Sequence, residues 1–339
     1  MIAVHEESLI RTVAEKESRR DLINIRIDKT VPEKVRISRR VCNENCIFDA
    51  DTDGKCHDDV FQLGDRAALS NSEFVGLVER LVKITGKKAL VHIAGDGEPT
   101  LLDEELVDFV RKLKSSESVK SVKLTSNGTR LSYGKKPLAY RLKEAGLDGL
   151  NLSLHSLRKE EFRKVTGIDA LELVIKGLDV AIAAGLSVSI NCVVRKETFN
   201  EIDDYVDLSS NKRIRIKMFS MLSFSKDTQR YYDSLLDEMI SRLDAAATYK
   251  IPYSYPYGGQ IFSIRGGVIE VKDSRNNTCP NLSCKVRDIC TEGCRYHARI
   301  TRNGLLQPCG VRTDNVVDML SSSVTDVNVK DALKSGGKC

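Results

Sequence analysis

The sequence predicts an α/β fold, a partial (β/α)6 TIM-like barrel followed by a small carboxyl-terminal domain. Three features support this prediction: six short β-branched segments, helical patterns between them, and a change of pattern near residue 245. Strands that alternate with helices form parallel sheets, and six such units without a long interruption favour a barrel over two lobes. A chain of 339 residues, 41% of them hydrophobic, is long enough to bury this core.

The repeating units can be followed along the chain. The predicted strands are VRIS (35–38), ALVHIAGDG (89–97), SVKLTSNG (121–128), LNLSLHS (150–156), SVSINCVV (187–194) and RIRIKMFS (213–220). The helical patterns are SEFVGLVERLVKIT, ELVDFVRKLKSS, PLAYRLKEAGLD and LELVIKGLDVAIAAG, several of which begin near Ser or Asp and end at Gly. Folds of this class place their chemistry at the carboxyl ends of the strands, where GDGEP, SNG and LHS stand.

Four segments are expected along the chain. They are a charged amphipathic lead-in (1–32), the barrel (33–245), a small carboxyl-terminal domain (246–318) and a polar tail (319–339). Within the third segment, IFSIRGGVIEV predicts a β-hairpin.

Composition limits the partners and the location. The net charge of +5 suits a small anionic substrate but is too diffuse to predict a nucleic-acid surface. The sequence has no apolar run as long as a membrane span and no secretory signal at its start, so we expect a cytoplasmic protein.

Ten cysteines without an export signal favour metal or cluster binding over disulfides, because the cytosol keeps thiols reduced. Cys42, Cys46 and Cys56 follow the first predicted strand. Three thiolates fit two sites: a structural zinc ion with His57 as the fourth ligand, or an iron-sulfur cubane with one open iron. The spacing of the cysteines does not distinguish between these two kinds of site.

Five segments together carry a resemblance to a known family. They are VRISRRVCNENC, GDGEPTL, LTSNGTRLS, AGLDGLNLSLHSLRKEEFRKVTG and INCVV. In order and spacing they resemble the radical S-adenosylmethionine (SAM) superfamily, and most closely its molybdenum-cofactor branch, the MoaA-like GTP 3′,8-cyclases. The resemblance covers residues 33–312, and its most specific part is 145–167.

The resemblance implies that Cys42, Cys46 and Cys56 ligate a [4Fe-4S] cluster whose open iron binds SAM. An electron from a donor such as flavodoxin or ferredoxin then cleaves SAM, and the 5′-deoxyadenosyl radical abstracts hydrogen from an unactivated carbon. The family's usual spacing is three residues and then two, but Asp49 stands where that thiol is expected. Cys56 is therefore the predicted third ligand, and Cys192 is the alternative.

The resemblance also implies a set of SAM contacts. The matching positions are Gly97, Glu98, Pro99, Ser126, Asn127, Ser153 and Asn191. The GEP segment receives the methionine amino group, and the other positions line the nucleoside and the carboxylate. Gly, Asn and Ser are also ordinary residues of strand-end turns, which is the simpler explanation for each position.

A second cysteine group resembles the auxiliary-cluster module of these enzymes. Cys290, Cys294 and Cys309 match its pattern on a hairpin that turns at a glycine, and they imply a second, auxiliary [4Fe-4S] cluster in the carboxyl-terminal domain. Cys279 and Cys284 are surplus, and either would supply a fourth ligand. A zinc ribbon is the alternative for this group.

Four basic residues approximately match positions that bind nucleotide phosphates in the resembling family, namely Arg36, Lys88, Arg215 and Arg299. The expected substrate is therefore GTP or another nucleoside phosphate. His297 replaces a common arginine, and the ending SGGKC departs from the family's Gly-Gly tail. Two alternatives stay open: a radical SAM enzyme that modifies a peptide or carrier-bound substrate, and a zinc-binding protein without enzymatic activity.

Overall fold

A computed structural model of the chain describes residues 2–29, 44, 46, 68–94, 97–221, 226–254, 258–273, 275, 298–309 and 315–335. The chain divides into two compact units. Unit one comprises Met1–Arg20, Ser153–Phe162 and Val188–Gly293, and unit two comprises Asp21–Leu152, Arg163–Ser187 and Cys294–Cys339.

The described helices and strands follow each other in the alternating order that the sequence predicts. The strands are β1 (Ile23–Ile27), β2 (Ala89–Ile93), β3 (Val119–Ser126), β4 (Gly149–Ser153), β5 (Ser187–Val193), β6 (Arg215–Phe219), β7 (Tyr249–Tyr253), β8 (Gly259–Ile264), β9 (Gly267–Lys272), β10 (Ala298–Ile300), β11 (Leu305–Gln307) and β12 (Val317–Asp318). The helices are α1 (Ile2–Glu17), α2 (Asn71–Thr85), α3 (Glu104–Ser115), α4 (Leu138–Glu144), α5 (Lys159–Thr166), α6 (Leu171–Ala183), α7 (Ile202–Lys212), α8 (Lys226–Ala246) and α9 (Asp326–Ser335).

Unit two contains a sheet with the strand order β12-β11-β10-β1-β2-β3-β4. The strands from β10 to β4 run parallel, whereas β11 and β12 are antiparallel to their neighbours. One face of this sheet is apolar, and the fully buried residues on it include Ile25, Ile27, Val91, Ile93, Val122 and Leu124. Since side chains alternate across a strand, the polar residues between them lie on the opposite face.

Helix α2 shows how local sequence sets these elements. Ser70 and Glu73 form a capping box, in which each side chain accepts a hydrogen bond from the other residue's backbone N–H. The helix ends at Gly86, whose φ of 68° lies in the left-handed region. Its apolar stripe includes Phe74 and Leu81, which are buried.

Unit one contains the strand order β5-β6-β9-β8-β7. β5, β6 and β9 are parallel, and β7, β8 and β9 form an antiparallel meander. Helix α1 packs on this meander through Leu9, which joins Tyr253 and Ile261 in one apolar cluster. Lys16 at the end of the same helix binds the fully buried carboxylate of Glu270, with 2.7 Å between Nζ and Oε1.

Five of the six predicted strands, the four predicted helices and the β8–β9 hairpin are present. The predicted first strand at 35–38 lies outside the described residues. The structure has a further strand, β1 at 23–27, within the expected lead-in. Its sequence INIRI alternates apolar and polar residues, and every second one is buried. The segment after residue 245 contributes β7–β9 to unit one and β10–β12 to unit two.

Within the described ranges, no helix combines the length and the apolar character that crossing a membrane requires.

Candidate active site

In unit two, a buried carboxylate joins the segment after β2 to the end of β3. Oε1 of Glu98 accepts hydrogen bonds from the backbone N–H of Thr100 and from Oγ of Ser126, at 3.0 and 2.7 Å, and also from the hydroxyl of Thr100. Oε2 accepts from the backbone N–H of Asn127 at 2.7 Å. Glu98 is 3% exposed. The carboxylate therefore fixes three of the predicted SAM contacts relative to one another.

Burial raises the pKa of Glu98 above its ordinary value, and the hydrogen bonds from Asn127, Thr100 and Ser126 offset only part of this effect. An ionised carboxylate offers about four acceptor positions. Three donors on Oε1 and one on Oε2 use most of that capacity, so the main role visible for Glu98 is to hold the two strand ends together.

The other two residues of the GEP segment flank this carboxylate in sequence. Gly97 directly precedes Glu98, and Pro99 is the buried first residue of a short 3₁₀ helix, Pro99–Leu102. Glu98 caps that helix through the bond from the N–H of Thr100. Local capping therefore sets the backbone of the whole GEP segment.

The turn after β3 depends on two glycines. Gly128 has a φ of 81°, and a Cβ there would lie 2.3 Å from Cδ1 of Leu152. Gly177 of α6 approaches the same turn, and a Cβ on it would lie 2.4 Å from the carbonyl oxygen of Gly128. Oδ1 of Asn127 accepts from the backbone N–H and the hydroxyl of Thr129. The SNG segment is thus held rigidly by close backbone packing.

In unit one, the other two predicted SAM contacts lie at the ends of β4 and β5. The backbone N–H of Leu154, directly after Ser153, donates to the carbonyl of Asn191 at 3.0 Å. The side-chain Oδ1 of Asn191 is buried and has no hydrogen-bond partner among the described residues. A buried acceptor without a partner costs free energy, so a donor from a bound molecule would satisfy it.

Comparison with known proteins identifies the family. The model of the radical SAM superfamily matches residues 37–209. A probable GTP 3′,8-cyclase from Saccharolobus islandicus is 32% identical over 295 residues, which cover 85% of this chain and 86% of the relative. The chain belongs to the radical SAM superfamily. It is therefore an enzyme, and the alternative of a zinc-binding protein without activity is wrong.

A second relative and two solved structures extend the comparison. A probable GTP 3′,8-cyclase from Sulfurisphaera tokodaii is 29% identical over 307 residues, covering 89% of this chain and 88% of the relative. SuiB from Streptococcus suis, bound to S-adenosylmethionine, has a TM-score of 0.55 at 17% identity, covering 96% of this chain and 68% of its own. A histidine-tagged form of anSMEcpe with bound AdoMet has a TM-score of 0.55 at 16% identity, covering 94% and 84%. The predicted fold class is thus confirmed.

The cofactors of a radical SAM enzyme are a [4Fe-4S] cluster and SAM, and the residues present fit them. The unpartnered Oδ1 of Asn191, a predicted SAM contact, is a buried acceptor that a donor on SAM would satisfy. Of the predicted cluster ligands, the structure describes Cys46, a half-buried thiol in no disulfide, 3.7 Å from Oε2 of Glu44. Cys42 and Cys56 lie outside the described residues, so the complete ligand set stays a prediction.

Cys192, the alternative third ligand, has an unsuitable environment. Its side chain is fully buried on β5, beside Asn191 in sequence and so on the opposite face of the sheet. Burial raises the pKa of its thiol to about 12. By its place on β5, Cys192 therefore lies on the face of the sheet that the predicted SAM contact Asn191 does not occupy.

Of the predicted auxiliary-cluster module, the structure describes only the hairpin. β10 and β11 pair antiparallel and turn at Gly304, whose φ is 86°, as the sequence predicts. Cys309 follows β11 and is 6% exposed. The other predicted auxiliary ligands, Cys279, Cys284, Cys290 and Cys294, lie outside the described residues.

The predicted phosphate-binding residues have different surroundings. Lys88 is exposed and precedes β2, so it lies at the amino ends of the strands, away from Ser126. Arg215 begins β6, and its Nε lies 3.2 Å from Oε2 of Glu270. Nε of Arg299 forms an ion pair with Oδ2 of Asp28. The structure does not place Lys88 near the carboxyl ends of the strands. Arg36 lies outside the described residues.

Sequence reasoning missed three polar residues on the face opposite the apolar one: Arg26, His92 and Lys123. They are Cα partners across β1, β2 and β3. A signal was available, because each stands between two apolar residues of its strand. Arg26 lies in the segment that the sequence predicts as a lead-in, and His92 and Lys123 lie inside their strands rather than in a strand-end motif.

Proposed function

We propose that this radical SAM enzyme acts on a nucleotide, either GTP or another nucleoside phosphate, by abstracting a hydrogen atom and promoting rearrangement or cyclisation. The relatives named probable GTP 3′,8-cyclase, which match most of the chain, support this proposal. The observation that carries it is a row of basic side chains in unit two, which we call the basic row.

The basic row comprises Arg299, Arg26, His92 and Lys123, which are Cα partners on the parallel strands β10, β1, β2 and β3. Residues in register on parallel strands present their side chains on the same face. Arg299 is buried, and the other three are half-buried. A phosphate chain spanning several strands would meet a cation on each of three of them.

Two arginines of the basic row share one acidic partner. Asp28 is the acidic partner, with Oδ2 bound to Arg299 and Oδ1 3.9 Å from Nε of Arg26. Nε of Arg26 is itself buried without a hydrogen-bond partner in the described part of the chain. A guanidinium group can bind two phosphate oxygens at once. A phosphate would therefore satisfy Nε of Arg26.

The same proposal covers the SAM and cluster residues. Cys42, Cys46 and Cys56 would hold the [4Fe-4S] cluster; Glu98, Ser126 and Asn127 in unit two, and Ser153 and Asn191 in unit one, would contact SAM. When bound, the cluster and SAM supply the radical that abstracts hydrogen. Cys290, Cys294 and Cys309, with Cys279 or Cys284, would hold an auxiliary cluster, and a flavodoxin or ferredoxin would supply electrons.

The proposal is tested by titrating nucleotides into anaerobically reconstituted protein with SAM and a reductant. We expect one nucleoside phosphate to raise the rate of 5′-deoxyadenosine formation and to protect the fold against heat. Stimulation by a peptide, with no response to any nucleotide, would support the peptide-modifying alternative, which rests on a shared fold alone.

Variants of the basic row sharpen this test. Arg26→Met and Lys123→Met each remove one phosphate partner, and we expect each to raise the KM for the nucleotide about tenfold, equivalent to about 1.4 kcal/mol. Lys176→Met, on the exposed side of α6, is the matched control and should leave KM unchanged. Equal KM values in all three variants would contradict a role for the row.

A further inference from the structure

In unit one, the turn after β4 is held by side chains that come from the segment after β5. The turn comprises Leu154, His155, Ser156 and Leu157, and it follows Ser153 directly. The hydroxyl of Tyr205 donates to the carbonyl of Leu154 at 3.0 Å. Two further residues, Glu201 and Arg195, bind the rest of the turn, and we call these two side chains the brace.

Glu201 binds the turn from a buried position. Its carboxylate is 1% exposed and accepts from the hydroxyl of Ser156 at 2.8 and 2.9 Å. It also accepts from the backbone N–H of Leu157 at 2.6 Å. No ion pair joins Glu201 to a described basic group. The hydrogen bonds from Ser156 and Leu157 are therefore the interactions that offset the free-energy cost of desolvating this carboxylate.

Arg195 binds the same turn at its other end. Nη2 donates to the carbonyl of His155 at 3.1 Å, and Nη1 lies 2.6 Å from Oε1 of Glu161. The ring of His155 completes the connection, because its Nδ1 accepts from the backbone N–H of Val193 at 3.2 Å. The turn after β4 is therefore fixed to the end of β5 by several independent hydrogen bonds.

We propose that Glu201 and Arg195 are positioning residues for SAM, which hold Ser153 and Asn191 at the spacing that the nucleoside of SAM requires. Ser153 immediately precedes the braced turn, and Asn191 lies two residues before Val193. The turn after β4 and the end of β5 are joined by hydrogen bonds. Displacement of the turn therefore moves Ser153 relative to the unpartnered Oδ1 of Asn191. The inference rests on the part of the proposed function that assigns SAM contacts to these two residues.

The test measures SAM affinity in the full-length, cluster-reconstituted protein by anaerobic calorimetry, without nucleotide. Glu201→Ala removes the acceptor for Ser156 and Leu157, and we expect it to raise the Kd for SAM about tenfold. Glu201→Gln keeps an acceptor oxygen and should return the Kd to within about threefold of the parent value. The kcat for SAM cleavage without nucleotide should change less than about twofold at saturating SAM, because the brace touches no reacting atom.

A matched pair of serines separates positioning from general destabilisation. Ser156 and Ser209 are both buried, and each hydroxyl has more than one acceptor of the chain within hydrogen-bond distance and accepts one bond from a backbone N–H. Ser156→Ala and Ser209→Ala should weaken the fold to similar extents in urea. Only Ser156→Ala should raise the Kd for SAM, since Ser209 lies on α7 and bonds to Ile214 and Val268.

Two results would overturn the inference: an unchanged SAM affinity in Glu201→Ala, or equal losses of affinity in the two serine variants. Because binding is measured without turnover and without nucleotide, a wrong substrate assignment leaves these results unaffected. Failure of the parent protein to bind SAM at all would refute both this inference and the SAM contacts on which it rests.

Discussion

His155 provides a direct test of the buried network at the end of β4. The side chain is 7% exposed, and burial, aided by the charge of Arg195, lowers its pKa from 6.5 to about 3. The folded protein therefore keeps His155 neutral at pH 5, whereas the unfolded chain binds a proton there. Stability from this residue is present above pH 6.5 and is lost as the pH falls towards 3.

The magnitude follows from the two pKa values. Between pH 7.5 and pH 5.0, preferential protonation of the unfolded chain lowers the free energy of unfolding by about 2 kcal/mol, because each pH unit below 6.5 costs about 1.4 kcal/mol. His155→Asn keeps an acceptor near the position of Nδ1 for the N–H of Val193 but cannot be protonated.

The assay is urea unfolding of the parent protein and His155→Asn at pH 7.5 and pH 5.0. We expect the variant to be less stable at pH 7.5, because it lacks the ring's packing, and the difference to shrink by about 2 kcal/mol at pH 5.0. A stability difference that is the same at both pH values would refute the interpretation that His155 is buried in its neutral form.

Three further predictions follow from other buried groups. Glu270→Gln leaves the buried Lys16 and the half-buried Arg215 without their anion and should lower the free energy of unfolding by about 3–5 kcal/mol in urea; a loss below about 1 kcal/mol would contradict the assigned ion pairs. Cys192→Ala should leave 5′-deoxyadenosine formation intact while Cys56→Ala abolishes it, and the opposite pattern would make Cys192 the third ligand in place of Cys56. Gly128→Ala forces a Cβ to 2.3 Å from Cδ1 of Leu152 at a φ of 81°. It should lower the free energy of unfolding by at least about 1 kcal/mol in urea, and an unchanged free energy would contradict the rigid turn.

The sequence predicted the repeating architecture well because strand periodicity and helix caps are local signals. SVKLTSNG and SVSINCVV alternate over enough residues to define their strands, and α2 carries both its capping box and its terminal glycine. The strand β1, which the sequence did not predict, was missed for a related reason. INIRI is short, and it is the pairing of β1 with β2 and β10 that identifies it as a strand of the sheet.

The sequence predicted only part of the candidate site, because side-chain pairing and strand register depend on tertiary structure. The motif residues Glu98, Ser126 and Asn127 come together through hydrogen bonds that no spacing rule encodes, although their motifs indicated their importance. Arg215 and Lys88 were chosen by residue type, and residue type does not show that one pairs with a buried acid while the other is exposed at the amino end of its strand. Register between strands is a tertiary property, so the basic row emerged only from the structure.

The measurement that tests the central claim most directly is isotope transfer. Anaerobically reconstituted protein is incubated with SAM, a reductant and nucleoside triphosphates deuterated in the ribose, and the 5′-deoxyadenosine formed is analysed by mass spectrometry. The account predicts that deuterium from one nucleotide appears in 5′-deoxyadenosine. Formation of 5′-deoxyadenosine without deuterium from any nucleotide would contradict a nucleotide substrate.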